Sequence, residues 1–192
     1  MTHLPFLKDL DALNRARYGG KAASLGELNR ASFDVPPGFV IPVEVTAKLH
    51  GAPSGWPKGI RRDLLGRLGE LVPGGDGVAV RSSAVDEDSE TASFAGQYET
   101  VLGVVGQDEF LAAVEKCLAS LNSEEARAYG ARAGKPEDAA MAIVVQKMVP
   151  AEAAGVAFSI DPVTGDTSRI AVVVVIGLGD ALVSGPAEGP RF

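Results

Sequence analysis

The sequence predicts an α+β fold with a mainly antiparallel sheet, arranged as two lobes. Three observations carry that expectation. Apolar residues recur at helical spacing in some stretches and as short β-type runs in others. The β-type runs of the second half follow one another through short turns, which favours antiparallel pairing over a doubly wound parallel sheet. Between the halves stands "PGGDG", Pro73 to Gly77, a breaker-rich segment suited to a boundary. The expected division is therefore 1–72 and 73–192. With 192 residues, 46% of them apolar, the chain can bury a core in either form.

Taken in order, Lys21 to Ala31 places Ala22, Leu25 and Leu28 on one helical face directly after Gly19 and Gly20, so a glycine pair leads into a helix with Lys21 in its first turn. "DVPPGFVIP" then breaks the helix, and Phe39 to Ile41 read as a short strand. After the loop "HGAPSGWPKG", a second helix is expected over Ile60 to Leu71, with Ile60, Leu64, Leu68 and Leu71 in phase. The second half opens with a strand from Gly77 to Ser82, crosses a small-residue loop, and returns as a strand from Tyr98 to Val104. Helices fit Asp108 to Leu121 and Ser123 to Ala133, the latter with Ser123 as N-cap. Three further strands are expected: Ala142 to Val149, Gly155 to Ser159 and Ile170 to Ile176. "DPVTGD" forms the turn between the last two.

Composition excludes several classes. A net charge of −7 argues against a nucleic-acid or anionic-membrane surface, since phosphate-backbone binders carry a basic excess. The single Cys117 rules out an internal disulfide framework and a cysteine-rich metal site. It shares an apolar helical face with Leu111, Val114 and Leu118, which reads as core. His3 and His50 have no partners at metal or triad spacing, so no metal ligand is assigned in this chain. "MTHLPFLKDLD" lacks the pattern of a signal peptide, and "IAVVVVIGLG" is too short to span a bilayer. The expected location is the cytoplasm, with no nucleic-acid or membrane partner.

Chemistry concentrates in "VAVRSSAVDEDSETASFAGQYETV", Val78 to Val101. A polyphosphate needs fixed positive charge together with backbone amides that can approach closely. Arg81 offers a planar fork for bidentate contact, and the small residues Ala92 to Gly96 leave the backbone bare. Lys21, delivered by its glycine pair, is a second cation. Each feature also has a plainer reading: Gly-Gly-Lys as a solvated turn, and Arg81 as an ion-pair partner of Asp86 or Asp88. No GxxxxGK[ST] run is present. The acidic run Asp86, Glu87, Asp88, Glu90 suits either Mg²⁺ contact or a solvated loop. "AIVVQKMVPAEAAG" could border a purine ring where Pro150 frees the backbone from the ladder, or be a core strand meeting its turn.

The blocks "YGGKAASLGELNRA", "VPPGFVIP", "VAVRSSAVDEDSETASFAGQYETVLGV", "CLASL", "VVQKMVPAEAAGVAFSIDPVTGD" and "GLGDALVSG" follow one another in a familiar order. From about Tyr18 to Gly185 the chain resembles the N-terminal part of the ATP-binding domain shared by phosphoenolpyruvate synthase, pyruvate phosphate dikinase and rifampicin phosphotransferase. The dikinases carry a different loop where this chain has "ASFAGQ". The resemblance implies an ATP-grasp-like fold lacking the C-terminal part of its domain, and ATP and Mg²⁺ as cofactors. It implies that Arg81 and Lys21 act on the ATP phosphates as catalytic groups, with the loop through Gly96 and with Thr100 at the returning strand. It places the adenine edge along Gln146, Lys147 and Val149, Lys147 standing where the family often has a second glutamine. The family's Mg²⁺ ligands lie after the block matching "GLGDALVSG", so they are expected outside this chain. So is the phosphorylatable histidine, on a swivelling domain that a partner chain would supply. The implied activity is phosphoryl transfer from ATP to that histidine. The alternatives are a non-catalytic nucleotide- or partner-binding module derived from the family, or a truncated fragment.

Overall fold

The computed structural model describes residues 2–10, 14–50, 52, 55–85, 88–89, 92–93, 99–122 and 140–179. In chain order the elements are α1 (Arg15–Arg30), β1 (Gly38–Ile41), α2 (Val43–Leu49), α3 (Lys58–Leu71), β2 (Val78–Ala84), β3 (Asp88–Ser89), β4 (Ala92–Ser93), β5 (Thr100–Val104), α4 (Gln107–Ala119), β6 (Met141–Lys147), β7 (Ala153–Phe158) and β8 (Ala171–Ile176). The fold is α+β, and every strand pair is antiparallel. The expected helix at Ser123 to Ala133 lies outside the described residues.

Contacts divide the chain into two compact units, Met1–Met148 and Val149–Phe192. That break falls elsewhere than the breaker segment at Pro73. The reason is β6: it pairs with β1, which precedes Pro73, and with β2, which follows it, drawing both into one sheet of order β1-β6-β2-β5.

Alternation along the central strands sorts side chains onto two faces. Phe39, Ile41, Val78, Val80, Ile143 and Val145 point to one face, where Leu64 and Leu68 of α3 and Phe110, Val114 and Cys117 of α4 complete the larger core. The rings of Phe39 and Phe110 meet edge to face, their centroids 6.4 Å apart. On the other face Val40, Ala142 and Val144 pack against Tyr18 and Ala22 of α1. Burial lifts the Cys117 thiol to about 12, so this cysteine is an inert core residue as its helical phase suggests.

Two local differences from the sequence reading have clear causes. Helix α2 was not expected from its seven residues. It is held in place from outside: the buried Thr46 Oγ1 donates to Met141 O at 2.6 Å, and Val45 and Leu49 enter the core. Strand β2 runs on past Ser82 to Ala84, because the next serines pair with Ile143 and Ala142 of β6 and their hydroxyls find partners. Arg81 therefore stands in mid-strand and not at a strand end. Before it, Gly103 at φ 67° falls in a register shift between the Val78↔Val104 and Val80↔Val101 pairs of β2 and β5, after which Arg81 aligns with Thr100.

The second unit presents a two-stranded ribbon, β7 with β8, in register from Ala153↔Ile176 to Phe158↔Ala171. Its turn follows the expected chemistry: Asp161 Oδ1 accepts from the N–H groups of Val163 and Thr164, which hold its carboxyl below the ordinary range, and Gly165 adopts φ 72°.

Candidate functional site

Strand alternation places Ala79, Arg81 and Ser83 on the face of the sheet that α1 covers, because their partners Gln146, Val144 and Ala142 belong to that face. Thr100, the first residue of β5 and exposed, is paired directly with Arg81 and so shares this face. Gln146 is buried to 7% exposure. Its Nε2 donates to Pro36 O at 3.1 Å, which turns Oε1 toward Arg81, whose Nη1 donates to it at a long 3.5 Å. The arginine of the phosphate segment and the glutamine of the adenine segment, read from the sequence as separate features, are thus neighbours across one ladder.

The turn of α1 that carries Lys21 packs against the same face through its neighbours Tyr18 and Ala22. Gly19 has φ 76° and ψ 171°, a backbone conformation open essentially to glycine alone, and it separates a short turn of helix at residues 15–18 from the main helix beginning at Gly20. Helix N-termini favour anions through their unpaired N–H groups and the helix dipole. The turn is fixed to β2 by Ser83, whose hydroxyl donates to Tyr18 O at 2.9 Å and accepts from the Ala22 N–H at 3.1 Å.

Other expected residues fall differently. Lys147 pairs with Val78, so its side chain belongs to the opposite face, where Nζ meets Asp76 Oδ2 at 2.6 Å. Its N–H donates to Pro37 O, and that of Met148 donates to Gly77 O. The backbone after Gln146 therefore stays bonded through Met148, up to the approach to Pro150. Val149 begins the second unit and is half exposed. Gly96 and the acids Asp86, Glu87 and Glu90 lie outside the described residues, as does most of "GLGDALVSG". Among the described residues, no three His, Cys, Asp or Glu side chains gather as metal ligands. Also among them, no helix is long and apolar enough to cross a membrane. Sequence reading passed over Ser83 and Tyr18. The signal for Ser83 was available, since it stands two residues from Arg81 and so shares its face.

Residues 53–191 match the family model described as pyruvate phosphate dikinase, AMP/ATP-binding domain. The chain belongs to this family. Beyond the matched range, individual relatives also align over the segment that carries Lys21. A prodigiosin synthesizing transferase, PigC, of Serratia marcescens is 41% identical over 198 positions and covers 92% of this chain. A rifampicin phosphotransferase of a Streptomyces species is 40% identical over 93% of the chain, and a phosphoenolpyruvate synthase of Aeropyrum pernix is 37% identical over 91%. The chain spans only 22%, 25% and 26% of the lengths of these three relatives. As a member of an AMP/ATP-binding family, it carries the Arg81–Gln146 pair inside the matched region.

Proposed function

We propose that this chain provides the nucleotide-binding part of a phosphoenolpyruvate-synthase-like phosphotransferase, which passes a phosphoryl group from ATP to a carrier histidine on another domain. The observation that carries the reading is the convergence of Arg81, Thr100, Gln146 and the Gly19–Lys21 turn on one face of one sheet. Family membership and the named activities of the relatives support it.

In this reading Arg81 grips the phosphates through its planar fork while the neutral Gln146 amide orients it. Lys21 adds charge from the helix start and Thr100 offers a hydroxyl, while Gly96, assigned to the phosphates by the family resemblance, lies outside the described residues. The purine edge lies along the chain from Gln146 through Lys147 to Val149. ATP fits this donor set, which pairs two cations with a helix N-terminus. Phosphoryl transfer depends chiefly on positioning and charge neutralisation, which is what these groups supply. Mg²⁺, when bound, would neutralise further phosphate charge. Its ligands are proposed to lie after the segment matching "GLGDALVSG", as the family resemblance implies.

Calorimetry with ATP tests the reading. Arg81→Ala should weaken binding by about 1.5–3 kcal/mol, the scale of a charge-assisted hydrogen bond. Unchanged affinity in a folded variant would leave Arg81 a structural residue and remove the phosphate site from this face.

A further inference from the structure

We infer that Ser83 is a positioning residue of the phosphate site, acting as the N-cap of a helix that lies 61 residues away in sequence. The inference rests on the nucleotide reading above. Helices leave their first N–H groups without partners inside the helix, and a Ser, Thr, Asp or Asn at the N-cap normally accepts from the second or third of them. Here the N-cap position is Gly19, which has no side chain to offer. With Gly20, Lys21 and Ala22 as the first three helical residues, the amide a local cap would serve is that of Ala22, and Ser83 Oγ accepts from it at 3.1 Å. The same hydroxyl donates to Tyr18 O, on the other side of the break, at 2.9 Å.

The exchange is enforced by space. A Cβ on Gly19 would overlap the carbonyl and the hydroxyl of Ser83. A local capping side chain and the borrowed one therefore exclude each other. Ser83 is fully buried, so solvent does not compete for its hydroxyl. What the arrangement achieves is alignment. Lys21 lies between the two backbone groups that Ser83 holds, and Ser83 lies two residues from Arg81 on the same strand face. One hydroxyl thereby ties the position of one proposed phosphate cation to that of the other.

The test uses the full chain with ATP and adenosine as probes. Ser83→Ala should lower ATP affinity roughly 3- to 30-fold, the range of a lost cap, leave adenosine affinity unchanged and speed hydrogen exchange at the Ala22 amide. In a Lys21→Met background the further loss of ATP affinity should shrink, because both changes act through the same cation. If Ser83→Ala does not fold, Ser83→Cys carries the test, since its thiol hydrogen-bonds only weakly. Equal loss of ATP and adenosine, full additivity with Lys21→Met, or unaltered Ala22 exchange would each overturn the positioning role. Failure of the wild-type chain to bind ATP would instead overturn the nucleotide reading, and the positioning role with it.

Discussion

Gly19 shows how much can depend on a missing side chain. Its φ of 76° with ψ of 171° belongs to a region that costs other residues about 1–3 kcal/mol. Overlap of any added Cβ with the Ser83 carbonyl must be relieved by moving backbone, a further cost of about 1–3 kcal/mol. Gly19→Ala should therefore destabilise the chain by about 2–6 kcal/mol in urea unfolding. A loss below about 1 kcal/mol would mean that the helix start can leave β2 at little cost. Gly20 is buried too, but its φ lies in the ordinary range.

Among the elements, α3 holds the start of the chain through charged side chains, with Arg67 stacked over the Phe6 ring at 4.4 Å and Asp63 taking the Thr2 amide. The Thr2 N–H donates to Asp63 Oδ2 at 2.5 Å, and this bond holds the Asp63 carboxyl down at about 2. Because the folded value lies below the ordinary carboxylate value, the tie is fully present above pH 4 and is lost as pH falls through about 2. The Thr2 amide resonance should accordingly titrate with a midpoint near 2 and should be flat in Asp63→Asn. A midpoint near 4 would show that the carboxylate does not hold the terminus. Elements of this kind were legible in uneven degree. Helix α3 and strands β1 and β6 could be read because their apolar spacing agrees with their burial, whereas β5, β7 and β8 could be read only as β-type runs between turn residues, since Leu102, Phe158 and Ile176 stay exposed. Helix α2 could not, since Val43 and Val45 favour strands and its stability comes from Thr46 bonding a residue 95 positions away. At the site, Arg81 and Lys21 were visible as charges beside small residues. The Gln146–Arg81 contact and the Ser83 cap were not, because strand register sets both, and no local pattern fixes which strand becomes a neighbour.

At the level of the whole molecule, the two units differ in how their strands are protected. In Met1–Met148, strand β6 is almost wholly buried, with strands on both sides and cores on both faces. In Val149–Phe192, the described strands form a two-stranded ribbon with Ile176 at 95% and Ile170 at 70% exposure. Ribbons of this size are marginal alone in water. Amides of β7 and β8 should exchange with deuterium well before those of β6, as mass spectrometry can follow segment by segment. Equal protection would show that something further covers the ribbon in solution. The sheet order also bears on how the chain comes off the ribosome. Apart from a bridge to Phe6, β1 has β6 as its sheet partner among the described residues, and β6 is made about a hundred residues later. At synthesis rates of about 5–20 residues per second, the buried apolar strand Gly38–Ile41 waits roughly 5–20 seconds for that partner. During that interval it is a natural target for chaperones that bind extended apolar segments, and the final sheet closes only when its central strand slides in between two older ones.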